Sequence, residues 1–260
     1  MTDALPRDLP LPGGGRIPVV GFGTWQLRGE SAREAVGWAL EAGYRHVDTA
    51  TIYGNEAEVG AALRASGLRR EDVFVTTKLP PQEAGRERDT LRRSLDALGV
   101  DAVDLWLVHW PPEGDAALPV WEALLEIRRE GLAREVGVSN YGPGLIDRLV
   151  TATGEAPAVN QVKWSPSRHD PARLRHSRER GVVLEGYSPF RAGGLDAPVL
   201  TTLAERYGVT PAQVVVRWHV QHGIVVIPKS ARRERIARNA DVWGFALTDD
   251  EMASVDALAT

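Results

Sequence analysis

From residue 19 onward the chain alternates two kinds of apolar pattern. Short, β-branched, nearly continuous apolar runs recur. They are Val19-Val20-Gly21-Phe22, Arg45-His46-Val47-Asp48, Val73 to Thr77, Val103 to Val108, Glu135 to Val138, Ala158 to Val162, Val182 to Gly186 and Ile224 to Ile227. Such runs predict strands of a parallel sheet, buried on both faces. Stretches with apolar residues at helical spacing separate them. Ser31 to Ala42 stops before Gly43, Asn55 to Ser66 before Gly67, Arg88 to Leu98 before Gly99 and Val120 to Glu130 before Gly131. A glycine just past a helix supplies the left-handed residue that ends it. Thr210-Pro211-Ala212-Gln213 and Thr248-Asp249-Asp250-Glu251 have the form of capping boxes that start helices.

Eight strands alternating with helices leave two α/β architectures, a closed barrel or an open doubly wound sheet. The regular spacing, with no linker or shift in composition, favours a (β/α)8 TIM barrel occupying residues 1–260 as one domain. Gly21-Phe22-Gly23-Thr24-Trp25-Gln26 approaches a G-x-G-x-x-G dinucleotide turn, but Gln26 stands where the third Gly belongs and no helix is expected before Ser31. A Rossmann nucleotide site is therefore set aside. Leu9 to Pro18, around Gly13-Gly14-Gly15, predicts a β-hairpin at the barrel bottom, and the Thr248 capping box predicts an extra C-terminal helix.

Composition removes several classes of function. With no cysteine, disulfide scaffolds, thiolate zinc sites and thiol nucleophiles are excluded. A net charge of −4 is too mild for a general nucleic-acid or membrane-surface binder. The opening MTDALPRDLPLPGGG lacks the basic region and apolar run of a signal peptide, and no stretch nears the ~18 apolar residues of a membrane span, so a cytoplasmic location is expected. Among 31 basic residues only Lys78, Lys163 and Lys229 are lysines. Lys78 and Lys229 read as places where an ammonium is wanted, and Lys163 as incidental.

Barrel chemistry sits at the C-terminal strand ends. Those ends carry Asp48, Lys78, His109, Ser139 with Asn140, Gln161, Tyr187, and Lys229 with Ser230, while Tyr53 follows Asp48 by five residues in a loop. Taken singly, each is more often a loop cap or a rim ion pair. Together they form a coherent set. A phenol with a pKa of about 10 is a reluctant acid at neutral pH. The Lys78 cation is expected to lower it by roughly 1–3 units, with Asp48 keeping that ammonium charged. His109 adds a second hydrogen-bond donor. The set suits a carbonyl oxygen that gains negative charge, and it contains no nucleophile–base pair for hydrolysis. Trp25, Trp110 and Trp164 are expected to line an apolar substrate slot with Tyr53. Trp38, Trp121, Trp218 and Trp243 read as core. His219 and His222 lie three apart on a helix with no third ligand evident nearby, so they read as surface histidines and no metal site is expected.

From Val19 to about Leu258 the chain resembles the aldo-keto reductase family. The resemblance rests on Gly21-Phe22-Gly23-Thr24-Trp25, on Tyr44 to Glu56 (YRHVDTATIYGNE), on Val75-Thr76-Thr77-Lys78-Leu79 and on Asp104 to Pro111 (DLWLVHWP). Val136-Gly137-Val138-Ser139-Asn140, Asn160-Gln161-Val162, Tyr187-Ser188-Pro189 and Ile227-Pro228-Lys229-Ser230 follow in family order. The resemblance implies a catalytic tetrad of Asp48, Tyr53, Lys78 and His109 and a reduction of aldehydes or ketones by hydride transfer from NADPH. Ser139, Asn140 and Gln161 would hold the nicotinamide carboxamide, and Tyr187 would stack on its ring. Gly23, Thr24, Trp25, Ser188 and Phe190 would line the cofactor. Lys229, Ser230 and Arg235 would grip the 2′-phosphate, and Asn239 would contact adenine. It further implies a monomer acting on a small carbonyl compound, similar by length to prokaryotic diketogluconate and methylglyoxal reductases.

Departures from the family pattern are also visible. Lys163-Trp164-Ser165-Pro166 replaces the common Glu-Tyr-His-Pro, Pro80-Pro81 follows Leu79 where an aromatic is common, and Arg238 stands where an acid or amide usually helps hold adenine. The sequence ends at Thr260, where many relatives continue into a loop over the substrate, which implies an open pocket with broad carbonyl specificity. Two other classes compete: a catalytically weak NADPH-binding barrel acting as a regulatory or structural subunit, and a metal-dependent barrel hydrolase.

Overall fold

The computed structural model of the chain describes residues 6–190 and 194–259. It opens with an antiparallel hairpin, β1 (Asp8–Pro10) paired with β2 (Arg16–Pro18). Eight parallel strands follow: β3 (Phe22–Gly23), β4 (His46–Asp48), β5 (Phe74–Leu79), β6 (Val103–Val108), β7 (Ala133–Ser139), β8 (Val159–Lys163), β9 (Val183–Tyr187) and β10 (Val225–Val226). Each pairs with its neighbour in sequence, so the order of strands in the sheet, β3 to β10, follows the order along the chain. A parallel bridge from Val20 to Val226 joins the two edges, with Val226 N donating to Val19 O at 2.8 Å and Gly21 N to Val226 O at 2.9 Å. That closes the expected barrel and leaves no free sheet edge.

The helices are α1 (Gly29–Glu41), α2 (Glu56–Ala65), α3 (Glu87–Leu98), α4 (Ala117–Arg129), α5 (Pro143–Thr153), α6 (Pro171–Glu179), α7 (Pro198–Tyr207), α8 (Pro211–Gln221), α9 (Arg233–Ala240) and α10 (Asp249–Asp256). Both expected capping boxes form, at Thr210 and Thr248. Two helices, α7 and α8, fall between β9 and β10 where the repeat needs one. The added α7 and the terminal α10 enclose a second apolar cluster around Trp164, Trp218, Leu203, Val215, Leu247 and Val255.

The hairpin plugs the bottom of the barrel as expected. Leu11 and the fully buried Ile17 pack on Leu105, Leu107, Val159 and Val225 inside it. Gly13 N donates to Glu135 Oε1 at 2.7 Å, and a Cβ at residue 13 would fall 2.4 Å from that oxygen. A side chain at residue 13 would displace the end of the Glu135 side chain from this contact.

Candidate active site

Asp48 ends β4 and Lys78 lies near the end of β5, both facing into the barrel at its C-terminal mouth. Lys78 Nζ donates to Asp48 Oδ1, Asp48 Oδ2 and Thr49 O, each at 2.7 Å. Lys78 is fully buried and Asp48 nearly so. Tyr53 arrives on a short 3-10 turn, Thr51–Tyr53, which ends at Gly54 with φ 63°. Thr51 Oγ1 ties that turn to Lys78 O at 2.8 Å. The ammonium then sits 5.1 Å from the centre of the Tyr53 ring. His109 follows β6, its N held by Leu79 O at 2.9 Å, and its ring meets Tyr53 edge-on at 5.7 Å.

Burial works against the charge of Lys78, but Asp48, Tyr53 and Glu185 outweigh it and hold the ammonium above its ordinary pKa. Burial raises the Asp48 carboxyl, while Lys78 and Gln161 pull it back. Tyr53 departs from the expectation. Burial raises its pKa, and the Lys78 charge and hydrogen bond recover only part of that rise. The phenol is thus protonated at neutral pH, the state a proton donor needs. Lys78 makes it a stronger acid than an equally buried phenol would otherwise be. Burial and the Lys78 charge push His109 down to about 3, so its imidazole is neutral. Its Nδ1 is buried without a partner among the described residues. The tautomer that avoids burying an unpaired N–H there carries its proton on Nε2.

Asp48, Tyr53 and His109 line the floor of a cavity of about 650 Å³, with Lys78 buried behind them. Trp25, Ile52 and Trp110, the large hydrophobic side chains left exposed among the described residues, all stand at its walls. Gly23 lines it too. A Cβ there would meet Ile227 O at 2.8 Å, so only glycine lets β3 approach the segment after β10 this closely. Asn140, in the left-handed region at φ 64°, donates to His109 O at 3.2 Å and to Ser139 Oγ at 3.0 Å, and accepts from Tyr187 Oη at 2.9 Å. Both N–H directions of the Gln161 amide are committed, to Asp48 Oδ2 at 2.8 Å and Glu185 Oε2 at 3.1 Å. Ser188 (φ 55°), Phe190 and Lys229 complete the rim. Beyond Lys229, the Ser230 hydroxyl accepts from Arg232 N at 3.0 Å, Arg235 is exposed on α9, and Asn239 is buried on the same helix.

Four expectations need correction. Trp164 does not line the cavity; it is 1% exposed and belongs to the cluster under α7 and α10. Following β8, its large ring fills the space that the extra helices cover. The Thr24 side chain is also buried away from the cavity, its Oγ1 donating to Asp48 O at 2.9 Å. Lys163, expected to be incidental, lines the cavity with no ion pair among the described residues. His219 is not a surface histidine, being wholly buried with Nδ1 against Val215 O at 2.8 Å. His222 faces elsewhere, toward His169 and Asp256.

Glu185 and His46 went unread in the sequence, because a lone acid or imidazole in an apolar strand run carries no spacing signal. Both are fully buried, with His46 Nε2 3.6 Å from Glu185 Oε1 and 3.1 Å from Thr76 Oγ1. Burial and the Asp48 charge push Glu185 up to about 8, and burial pushes His46 down to about 3. Two carboxyls therefore share one ammonium: Asp48 holds the negative charge and Glu185 the proton. A raised acid contributes its full stability below its unfolded value of 4.5 and loses it as pH rises toward the folded value of about 8. Below pH 6.5 the buried neutral His46, His109 and His219 act in the opposite sense, so the loss shows between about pH 6.5 and 8, where folding stability measured by denaturant titration is expected to fall by up to about 1.4 kcal/mol per pH unit. Glu185→Gln, which cannot ionise, should flatten the slope; an unchanged slope would place the proton elsewhere.

The sequence model of the Aldo/keto reductase family matches residues 19–260. The chain belongs to the aldo-keto reductase family. An aldo-keto reductase of Mycolicibacterium smegmatis is 43% identical over 97% of this chain and 93% of its own. Methylglyoxal reductase DkgA of Escherichia coli is 40% identical over the same shares. Among solved structures, an aldo/keto reductase from Brucella melitensis superposes with a TM-score of 0.93 at 37% identity, covering 98% of this chain and 99% of that one. The Bombyx mori enzyme, solved in complex with NADP, gives 0.92 at 33% identity, covering 97% and 92%. As a member of this family the chain is an NADP-dependent oxidoreductase. No helix among the described residues is long and apolar enough to cross a membrane.

Proposed function

We propose that this aldo-keto reductase reduces aldehydes and ketones to alcohols on the cavity floor of Asp48, Tyr53 and His109, backed by the buried Lys78, with NADPH as reductant. The observation that carries this reading is the Lys78 ammonium, locked on Asp48 and set against a protonated Tyr53 at the base of an apolar-lipped cavity. The residues around that cavity suit the cofactor. Tyr187 offers a half-buried ring with its hydroxyl anchored on Asn140. Gln161, its donors spent, keeps its carbonyl oxygen to accept from a carboxamide. Lys229 and Arg235 have no acidic partner among the described residues. Cations clustered at the start of α9 oppose its helix dipole, which a bound phosphate would offset.

When bound, NADPH supplies the hydride that reaches the carbonyl carbon. The protein handles the oxygen. His109 Nε2–H and Tyr53 Oη–H point two donors at one acceptor, which selects a carbonyl oxygen and stabilises charge arising there. The Tyr53 proton moves to that oxygen as it becomes an alkoxide, a far stronger base than a phenolate, so the raised phenol pKa does not prevent transfer. Lys78 stabilises the phenolate left behind, and Asp48 keeps Lys78 charged. Trp25, Ile52 and Trp110 exclude water from one side of the substrate, while Lys163 and Lys229 make the mouth cationic.

The test is NADPH oxidation with a panel of small dicarbonyls, aliphatic aldehydes and aromatic aldehydes, run beside NADH. No turnover with any member would overturn the reading. Within that assay, Arg235→Gln is expected to raise KM for NADPH by roughly 10- to 100-fold, as loss of a charge-assisted phosphate contact does. It should leave KM for NADH and the saturating rate unchanged. Equal effects on both cofactors would remove Arg235 from the 2′-phosphate.

A further inference from the structure

Three segments far apart in sequence meet on the outside of the barrel, away from the catalytic cavity. His169 follows the short turn Pro166–Arg168 after β8, His222 caps α8, and Asp256 ends α10. One donor atom from each lies within 4.8 Å of the other two. The Asp256 carboxylate divides between the rings. His222 Nε2 is 2.8 Å from Oδ1, and His169 Nε2 is 3.7 Å from Oδ2. The imidazoles stack, with centroids 4.8 Å apart and planes 29° apart. Two nitrogens from different elements thus converge on one carboxylate.

We propose that His169, His222 and Asp256 form a binding site for a divalent transition metal ion of the zinc class. Two imidazoles and one carboxylate suit Zn²⁺, Co²⁺ or Ni²⁺, whereas Mg²⁺ and Ca²⁺ take oxygen ligands. With Zn–N and Zn–O distances of about 2.0–2.2 Å the donors of a tetrahedral site lie about 3.4 Å apart, so the most widely spaced donors draw together while the 2.8 Å contact between His222 and Asp256 opens. Asp256, 30% exposed at the end of a short helix, can shift to admit the ion, and His222, at the C-terminal end of α8, can turn its ring toward His169. The surroundings already orient the ligands. Trp218 Nε1 donates to Asp256 Oδ1 at 2.7 Å, the outer hydrogen bond that ligating carboxylates characteristically receive. Trp218 and Trp164 also make T-shaped contacts with the His169 ring, and Arg178 donates to the His222 carbonyl at 2.6 Å. The three side chains are 8%, 17% and 30% exposed, which leaves an opening on the solvent side for water as a further ligand. None of them lines the catalytic cavity, so the ion staples α10 to α8 and to the segment after β8 without joining the reduction.

The test is calorimetric titration of the untagged chain with Zn²⁺, Co²⁺ and Ni²⁺, with Mg²⁺ and Ca²⁺ as controls, beside thermal unfolding and turnover. One ion per chain should bind, Co²⁺ should develop a visible absorption band, and the unfolding midpoint should rise by several degrees. His169→Gln, His222→Gln and Asp256→Asn should each weaken binding by about 100-fold or more, with turnover unchanged. Asp256→Asn keeps an oxygen for Trp218, so it serves if a histidine variant folds poorly. Two results overturn the site: no saturable binding of any of the three transition ions, or equal binding by wild type and by a folded Asp256→Asn or His169→Gln/His222→Gln chain.

Discussion

Replacing Tyr53 with Phe is expected to abolish measurable carbonyl reduction while leaving NADPH affinity within about twofold. The variant deletes one oxygen from a ring that otherwise keeps its place between Lys78 and His109. General acid catalysis contributes typically about 10²- to 10⁴-fold, and here the lost hydroxyl is also one of two donors to the developing alkoxide, so the upper part of that range is expected. The check is turnover at saturating NADPH beside a direct binding titration of the cofactor. Retained turnover would transfer the proton to another group. Loss of cofactor binding with loss of turnover would mean that the ring, not its hydroxyl, had been disturbed. The same comparison separates an enzyme from a cofactor-binding regulatory barrel, for which this hydroxyl would have no consequence.

What the sequence revealed and concealed follows from where each signal lies. The strands of a parallel barrel are buried on both faces, so their apolar runs stand out along the chain, and all eight occur where the runs lie. Capping boxes at Thr210 and Thr248 are local chemistry and were equally readable. The helix α7 starts after Ala197 with no side-chain cap, so its one start signal is Pro198 at the first helical position, weaker than the capping boxes at Thr210 and Thr248. The polar strand ends were legible because polar groups ending apolar strands have few structural reasons to be there. Trp164 was misplaced because its position after β8 fits either the cavity wall or the outer core, and only the extra helices decide between them. The Glu185–Gln161–Asp48 network and the meeting of His169, His222 and Asp256 depend on residues brought together by the closed barrel and its added helices, a relation no linear spacing encodes.

Lys78→Met carries the second large effect, and it acts on folding as well as chemistry. Methionine nearly fills the same buried space but removes the cation on which both Asp48 oxygens rest. Breaking one side of a buried ion pair costs about 3–5 kcal/mol, because the remaining charge stays buried. The pH dependence has a definite sign. Without Lys78, burial is opposed only by the Gln161 amide, so the folded pKa of Asp48 rises further above its unfolded value. Stability held by protonated Asp48 is complete below that unfolded value and is lost as pH rises through the folded one. The deficit of Lys78→Met against wild type should therefore be small in acid and grow toward alkaline pH, as denaturant titrations at several pH values would show. Adding Asp48→Asn removes the stranded charge. The double variant should recover most of the stability but none of the reductase activity, since Tyr53 would still lack the ammonium that stabilises its phenolate. If stability stayed low in the double variant, the cost would lie in packing around residue 78. If activity returned, the pair would be structural, and the proton would reach the carbonyl without help from Lys78.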